Sequence, residues 1–232
     1  MKRLCVIPAR GGSKRVPRKN VLEFFGKPMV AYSIEAGLKA ERFERVIVST
    51  DDDEIAEIGS KFGAEVDYRD PALASDTARI NSVLLDLLAR EEEAGQAYDV
   101  MSCLFATAPL RSEADVRAVV DLIEPGVCDF ALAVTSFDLP AHQAMRMDDD
   151  GILSALLPDL INVRASDVGP IRVDNGSTYA AVVSSFREVG HFFGPGCRAH
   201  DMPRERSCDI DEPEDLEILT MFAKKVWGLS GG

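Results

Sequence analysis

Cysteine pairs, histidine clusters, long apolar runs and an excess of basic charge are all missing from this chain of 232 residues. Its five cysteines, Cys5, Cys103, Cys128, Cys197 and Cys208, are scattered without any Cys-x-x-Cys spacing. That removes the usual zinc and thiol–disulfide motifs. Cys5, Cys103 and Cys128 sit in or beside apolar runs, where a free thiol behaves as a small hydrophobe. His142, His191 and His200 show no partner spacing, so surface or packing roles are expected of them. No segment approaches the roughly 20 apolar residues that span a bilayer. After Met1-Lys2-Arg3 the apolar run Leu4–Ile7 is too short for a secretory signal. A cytoplasmic location with no membrane partner is expected. With 26 basic against 39 acidic residues the formal charge is −13. A general nucleic-acid binder needs a basic footprint, so nucleic acid is not an expected partner. Internal repeats and low-complexity segments are absent as well.

The remaining sequence reads as an α/β fold. Leu4–Ile7 is a continuous apolar run meeting a glycine-rich turn, as a buried strand of a parallel sheet requires. Pro28 suits the first turn of a helix carrying Val30, Ile34 and Leu38. Arg45–Ser49 is the next strand, and Asp51–Asp53 can cap the helix that presents Ile55, Ile58 and Phe62. The alternation continues with a strand at Glu65–Tyr68, a helix at Ile80–Glu93 and a strand at Val100–Phe105. Ser112 and Asp115 have capping-box spacing, and Phe130–Val134 follows as a strand. Such βαβ units predict a mostly parallel, doubly wound sheet with helices on both faces. The rhythm breaks between about 137 and 179, which is read as an inserted arm able to carry a dimer contact. The last helix is expected from Glu214, with Leu216, Leu219, Ala223 and Val226 on one face. The whole is read as one domain over 1–228, followed by a frayed tail at 229–232.

Two segments carry the chemistry. The first is Pro8-Ala9-Arg10-Gly11-Gly12-Ser13-Lys14-Arg15-Val16-Pro17-Arg18-Lys19-Asn20. It puts five cations and no acid directly after the first strand, at the edge where open α/β sheets bind ligands. Gly11 and Gly12 allow a sharp turn and close approach, backbone N–H groups can form an anion nest, and the cations can neutralise phosphates. It is neither a Walker A loop nor a Gly-x-Gly-x-x-Gly fingerprint. A plain basic surface loop is the alternative. The second segment is Ser207-Cys208-Asp209-Ile210-Asp211. As a strand it would turn both carboxylates to one face, a pair suited to Mg²⁺ with substrate phosphates completing the shell. The alternative is helix capping, with Asp211 as the cap before Glu212-Pro213-Glu214-Asp215.

These motifs resemble the CMP-acylneuraminate synthetase family. The resemblance rests on IPARGGSKR-PRKN at the start, VSTDD after the second strand, LASDTA at 73–78, ATAPLR at 106–111 and RSCDIDEPEDL at 206–216. It implies a Rossmann-like nucleotidyltransferase fold, CTP as substrate, Mg²⁺ as cofactor, and a homodimer whose inserted arm reaches the partner's site. Position by position, Arg10, Ser13, Lys19 and Asn20 resemble the family's nucleotide ligands, with Gly11, Gly12 and Lys14 in the same CTP loop. Arg69 and Ser82 would lie near cytosine and ribose, and Asp209 and Asp211 match the metal pair. The implied reaction is attack of a sugar's anomeric hydroxyl on the α-phosphate with loss of pyrophosphate. Arg10 and Lys19 would neutralise charge, and Asp211 would assist the metal in activating the hydroxyl.

The expected acceptor is an acidic nine-carbon sugar. Phe105-Ala106-Thr107-Ala108-Pro109 stands where sialic-acid enzymes carry Gln-Pro-Thr-Ser-Pro, replacing an amide with an apolar wall. That stretch and Phe137–Ala144 resemble the pseudaminic-acid branch, whereas Asp174-Asn175-Gly176-Ser177-Thr178-Tyr179 departs from a His-Asp-Ala-Gly-Gln-Phe-Tyr pattern. Pseudaminic acid is favoured, with legionaminic and N-acetylneuraminic acids and KDO as alternatives. Phe105, Thr107, Gln143 and Asn175 are expected sugar contacts, and Arg164 and Arg172 are candidate cations for the sugar carboxylate. Phe192-Phe193 is expected in the core or a dimer contact. A non-catalytic nucleotide-binding module is the alternative of a different class, and a dehydrogenase lacks its glycine fingerprint.

Overall fold

The computed structural model describes residues 1–75, 77–137 and 139–229. Ser230–Gly232 of the expected tail lie outside the described residues, as do Asp76 and Asp138 within two of the motifs. The chain opens with β1 (Arg3–Pro8), then a short hairpin of β2 (Glu23–Phe24) and β3 (Lys27–Pro28), and helix α1 (Met29–Lys39). There follow β4 (Arg45–Thr50), α2 (Asp53–Lys61), β5 (Glu65–Tyr68), α3 (Ile80–Glu93), β6 (Val100–Leu104), α4 (Glu113–Val120) and β7 (Phe130–Ser136). A second hairpin, β8 (Met145–Met147) with β9 (Leu153–Ala155), and the short α5 (Ala165–Val168) lead to β10 (Arg172–Val182). Helix α6 (Val183–Val189), β11 (Arg198–Asp201) and α7 (Pro213–Val226) complete the chain.

Seven strands form one sheet in the order β11-β7-β10-β6-β1-β4-β5. Only β10 runs antiparallel to its neighbours, between β7 and β6. From β1 the chain winds outward through β4 to β5, then returns to place β6 on the other side of β1. The order therefore reverses between β1 and β6, and the crevice at their carboxyl ends is where such sheets bind ligands.

Side-chain alternation explains why the β1 run is apolar throughout. Cys5 and Ile7 pack on one face with Val30 and Ile34 of α1, Ile55 of α2 and Val116 and Val119 of α4. Leu4 and Val6 pack on the other with Leu84 and Leu87 of α3 and Phe186 of α6. All five cysteines are free. No helix of the described residues is long and apolar enough to cross a membrane.

The capping signals act as their residue types dictate. The Asp52 carboxylate accepts from the Ile55 N–H at the start of α2. Ser112 and Asp115 form a reciprocal capping box on α4. At α7 the acids divide differently from the sequence expectation. Asp215 accepts from the N–H groups of both Asp211 and Glu212, each at 2.8 Å. Asp211 is thus not the cap, and its side chain is left to Arg15 and Lys19. Nor does Ser207–Asp211 form a strand: it is irregular chain after a 3₁₀ turn at Arg204–Arg206, held to the loop after β6 by the Ile210 N–H donating to the Thr107 carbonyl. Burial still separates the three residues, with Ile210 fully buried and Asp211 exposed.

The segment read as an arm, 137–179, divides. Its first part carries β8, β9 and α5 and displays Leu139, Met147, Ile152, Leu153 and Leu156, each between 53% and 78% exposed. The buried His142 ties its two ends together, with Nε2 at 3.0 Å from the Val163 carbonyl. Arg172–Tyr179 instead belong to β10 inside the main sheet, where a bulge falls between Asp174 and Tyr179. Here Ser177 and Thr178 are fully buried, and the Ser177 N–H and hydroxyl both donate to the Asn175 side-chain oxygen.

Two stability measurements check this packing. A Cβ at Gly194 would overlap the Phe130 ring, so Gly194→Ala should cost about 1–3 kcal/mol in urea unfolding. Asp215→Ala should cost about 1 kcal/mol through loss of the α7 cap. Asp211→Ala should stay within about 0.5 kcal/mol of the parent, as expected of a surface side chain.

Candidate active site

Two adjoining cavities open at the carboxyl ends of β1 and β6. One, of about 250 Å³, is lined by Pro8, Arg10, Lys19, Asn20, Arg69, Phe105 and Thr107, with Leu73, Ile80 and Val83 as apolar walls. The other, of about 320 Å³, is lined by Arg10, Ser13, Lys14, Arg15, Lys19 and Asp211. Arg10 and Lys19 border both. The first compartment combines apolar walls with Arg10, Lys19 and Arg69; the second is lined by four cations, Ser13 and Asp211.

The loop after β1 is built by its own polar groups. Ala9 N–H donates to the Ser49 carbonyl, continuing the β1–β4 pairing. Gly11 N–H donates to Asp51 at 3.1 Å, so this N–H is engaged by the protein itself. A Cβ on Gly11 would collide with the Asp52 side chain, which is why glycine stands there. The buried Asn20 donates from Nδ2 to the Arg10 carbonyl at 2.8 Å, closing the loop on itself. Asn20 therefore shapes the loop from within. Arg10 reaches across from Nη1 to the Ser75 carbonyl at 3.2 Å. Arg18 adopts φ 57° and turns away to pair with Asp52 and Glu54. It is the one cation of the run that leaves both cavities.

The acidic wall lies opposite. Lys19 Nζ donates to the Ile210 carbonyl at 2.6 Å and sits 3.3 Å from Asp211. Arg15 pairs with Asp211 at 2.8 Å and Glu212 at 2.6 Å. Asp209 is largely enclosed. Burial pushes its carboxyl above the ordinary range; the Thr107 hydroxyl and the Lys19 charge oppose that, and the like charge of Asp211 adds to it. A carboxylate withdrawn from water beside a second acid has a donor set that a hard divalent cation compensates. Among the described residues no group of three or more His, Cys, Asp or Glu side chains gathers into a metal cluster. Oxygen donors without histidine or cysteine suit a hard divalent cation rather than zinc.

Arg69 is 7% exposed and donates from Nη2 to the Ser49 carbonyl at 2.5 Å. Burial lowers its pKa, and its Nε has no hydrogen-bond partner among the described residues. It borders the apolar compartment, where a nucleobase or ribose would meet it. Ser82 is exposed in the first turn of α3 and lies outside the lining of either cavity, which the neighbouring Ile80 and Val83 supply.

Phe105 and Thr107 line the cleft, and Phe105 stacks at an inclined angle on Tyr179, ring centroids 5.3 Å apart. The Tyr179 hydroxyl is held by Asp174 at 2.8 and 2.9 Å; burial, then that carboxylate, raises its pKa. Asn175 is buried and committed internally, with Nδ2 on Ser207 Oγ at 3.1 Å. Arg172 pairs with Asp201 at 2.7 Å, Arg164 is exposed at the start of α5, and Gln143 is exposed on a 3₁₀ turn. None of these three lines either cavity. Phe192 is core, 4% exposed, while Phe193 is 59% exposed.

Sequence reasoning passed over Arg111, which appeared only as the last letter of ATAPLR. It is 3% exposed and donates to the carbonyl of Phe105, which lines the cleft, and to that of Ser177 in the β10 bulge. Its only sequence signal was an arginine closing an apolar motif, which does not distinguish buried from exposed.

The cytidylyltransferase family profile matches residues 4–134. Over 225 residues the chain is 34% identical to the pseudaminic acid cytidylyltransferase of Campylobacter jejuni, covering 97% of each. It is 45% identical over 226 residues to post-translational flagellin modification protein B of Campylobacter coli, covering 96% of this chain and 95% of that one. Its fold is similar to the solved structure of CMP:2-keto-3-deoxy-manno-octonic acid synthetase complexed with CTP. That likeness has a TM-score of 0.73 at 18% identity, over 97% of this chain and 99% of the other. By the profile over residues 4–134 and by relatives aligned along nearly its whole length, the chain belongs to the cytidylyltransferase family and is a nucleotidyltransferase.

Proposed function

We propose that the protein transfers CMP from CTP to the anomeric hydroxyl of a nonulosonic acid, with Mg²⁺ as cofactor and pseudaminic acid as the favoured acceptor. The observation that carries this reading is that Arg10, Lys19 and Asp211 line one cavity, while the same two cations border the apolar compartment. CTP fits with cytosine and ribose between Arg69, Leu73 and Val83 and its phosphates among Arg10, Ser13, Lys14 and Lys19. Asp209 and Asp211 would hold Mg²⁺, which supplies Lewis-acid stabilisation of charge developing on the phosphates. Arg10 and Lys19 orient the α-phosphate and neutralise it, a task of positioning and electrostatics. Asp211, which lines the cation-bearing cavity, would assist the metal in activating the attacking hydroxyl.

The acceptor side is supported by Phe105. Its ring, backed by Tyr179, presents an apolar wall where an amide would hydrogen-bond a more hydroxylated sugar. The Campylobacter jejuni relative carries pseudaminic acid in its name. The exposed apolar side chains of the excursion at 137–171 suit a contact with a second copy, and we assign them to a homodimer. Arg164, exposed on that excursion, would then serve a sugar carboxylate only across such a dimer. A reaction that consumes CTP belongs in the cytoplasm.

Pyrophosphate release from CTP and Mg²⁺, measured against pseudaminic, legionaminic and N-acetylneuraminic acids and KDO, tests the reading. Turnover is expected with pseudaminic acid and not with KDO. Binding of CTP without turnover on any of the four would favour the non-catalytic module. Asp211→Ala should lower kcat by about a hundredfold to a thousandfold, the range for removing one transition-state electrostatic partner. Full activity in that variant would remove Asp211 from the mechanism.

A further inference from the structure

Arg111 lies in the loop between β6 and α4, almost wholly enclosed. Burying a guanidinium is costly unless it is paired, yet no carboxylate among the described residues comes within ion-pair distance of it. Burial lowers its pKa to about 10. Its hydrogen bonds go to neutral groups on three different segments. Nη1 donates to the Ser177 carbonyl at 2.5 Å and to the Phe105 carbonyl at 3.3 Å. Nη2 donates to Ser33 Oγ on α1 at 2.5 Å, and that hydroxyl in turn donates to the Phe105 carbonyl at 3.0 Å. Nε has no partner among the described residues.

Both carbonyls gripped by Arg111 belong to segments that enclose Asp209. Ser177 lies in the β10 bulge, next to Gly176, which adopts φ +66°. A Cβ on Gly176 would lie 3.3 Å from Asp209 Oδ2, so the bulge backbone rests against that carboxylate. On the opposite side, two residues beyond Phe105, Thr107 gives Asp209 its hydroxyl and accepts from Ile210 N–H through its carbonyl. The planar, five-donor guanidinium can span these groups at once, as an ammonium cannot. The charges of Asp209 and Asp115 act on the guanidinium and oppose the effect of its burial.

We infer that Arg111 is a positioning residue, clamping the β10 bulge to the loop after β6 so that Asp209 is held in the orientation that receives the divalent cation. The inference rests on the metal reading of Asp209 and Asp211. Arg111 touches neither phosphate nor sugar in this role; it acts only through the two walls of the cleft.

The test compares wild type, Arg111→Lys and Ser33→Ala by thermal melting, Mn²⁺ binding followed by electron paramagnetic resonance, and steady-state kinetics. Arg111→Lys keeps the charge but cannot reach all three segments. Its Mn²⁺ affinity and its kcat are expected to fall about tenfold to a hundredfold, the range for groups that orient metal ligands. Its KM for CTP should stay within about threefold, since the cation loop is untouched. Ser33→Ala, which removes one of Arg111's partners, should shift Mn²⁺ affinity and kcat in the same direction by a smaller factor. A folded Arg111→Lys with wild-type Mn²⁺ affinity and kcat would overturn the inference. If Arg111→Lys does not fold, wild-type Mn²⁺ affinity in Ser33→Ala overturns it equally. Failure of the wild type itself to bind Mn²⁺ would overturn the metal reading, and this role with it.

Discussion

Asp209 carries charge where charge is costly, and much of the surrounding chain is arranged around that fact. Its carboxylate is packed between the Thr107 hydroxyl, the Gly176 bulge and its neighbour's N–H, with Lys19 as the nearest cation. Buried polar groups are costly unless partnered, and a partly partnered carboxylate beside a second acid favours a cation arriving from outside. The bulge in β10, the irregular run at 207–211 and the loop after β6 all deliver backbone to this one point. The sheet order puts that point at the switch between β1 and β6, so the cation loop after β1 faces it across the cleft.

The two charged walls also complete each other before any substrate enters. Arg15 and Lys19 hold Asp211, and Lys19 holds the Ile210 carbonyl. The local cluster of cations in this acidic protein lines a cavity of about 320 Å³ in which Asp211 is the single acid. The adjoining compartment adds the apolar surface of Leu73, Ile80 and Val83 to the charges of Arg10, Lys19 and Arg69. In the proposed reading they divide the work between binding a nucleoside and managing charge on its phosphates.

Much of this architecture was legible in the residues, because apolar period and caps act locally. Leu4–Ile7, Ile80–Glu93 and the Ser112–Asp115 box all took the form their spacing implied. The β10 strand was not legible, because its bulge fills the core with Asn175, Ser177 and Thr178, polar residues satisfied by one another rather than by alternation. The local shape around the two acids was not legible. Asp215 captured the cap that Asp211 was free to take, and one bond from Ile210 to Thr107 replaced a strand. Arg111 was invisible for a simpler reason: nothing in its neighbours' sequence announces that a guanidinium will be buried among carbonyls. The sugar-contact set was the least legible part, since Arg172 finds Asp201 and Asn175 turns inward.

Calorimetric titration of CTP, with and without Mg²⁺, into wild type and Asp209→Ala tests the central claim that cation loop and buried acid form one nucleotide–metal site. The account predicts that Mg²⁺ tightens CTP binding to wild type, and that this gain disappears in Asp209→Ala while metal-free CTP binding survives. An equal Mg²⁺ gain in both proteins would contradict it.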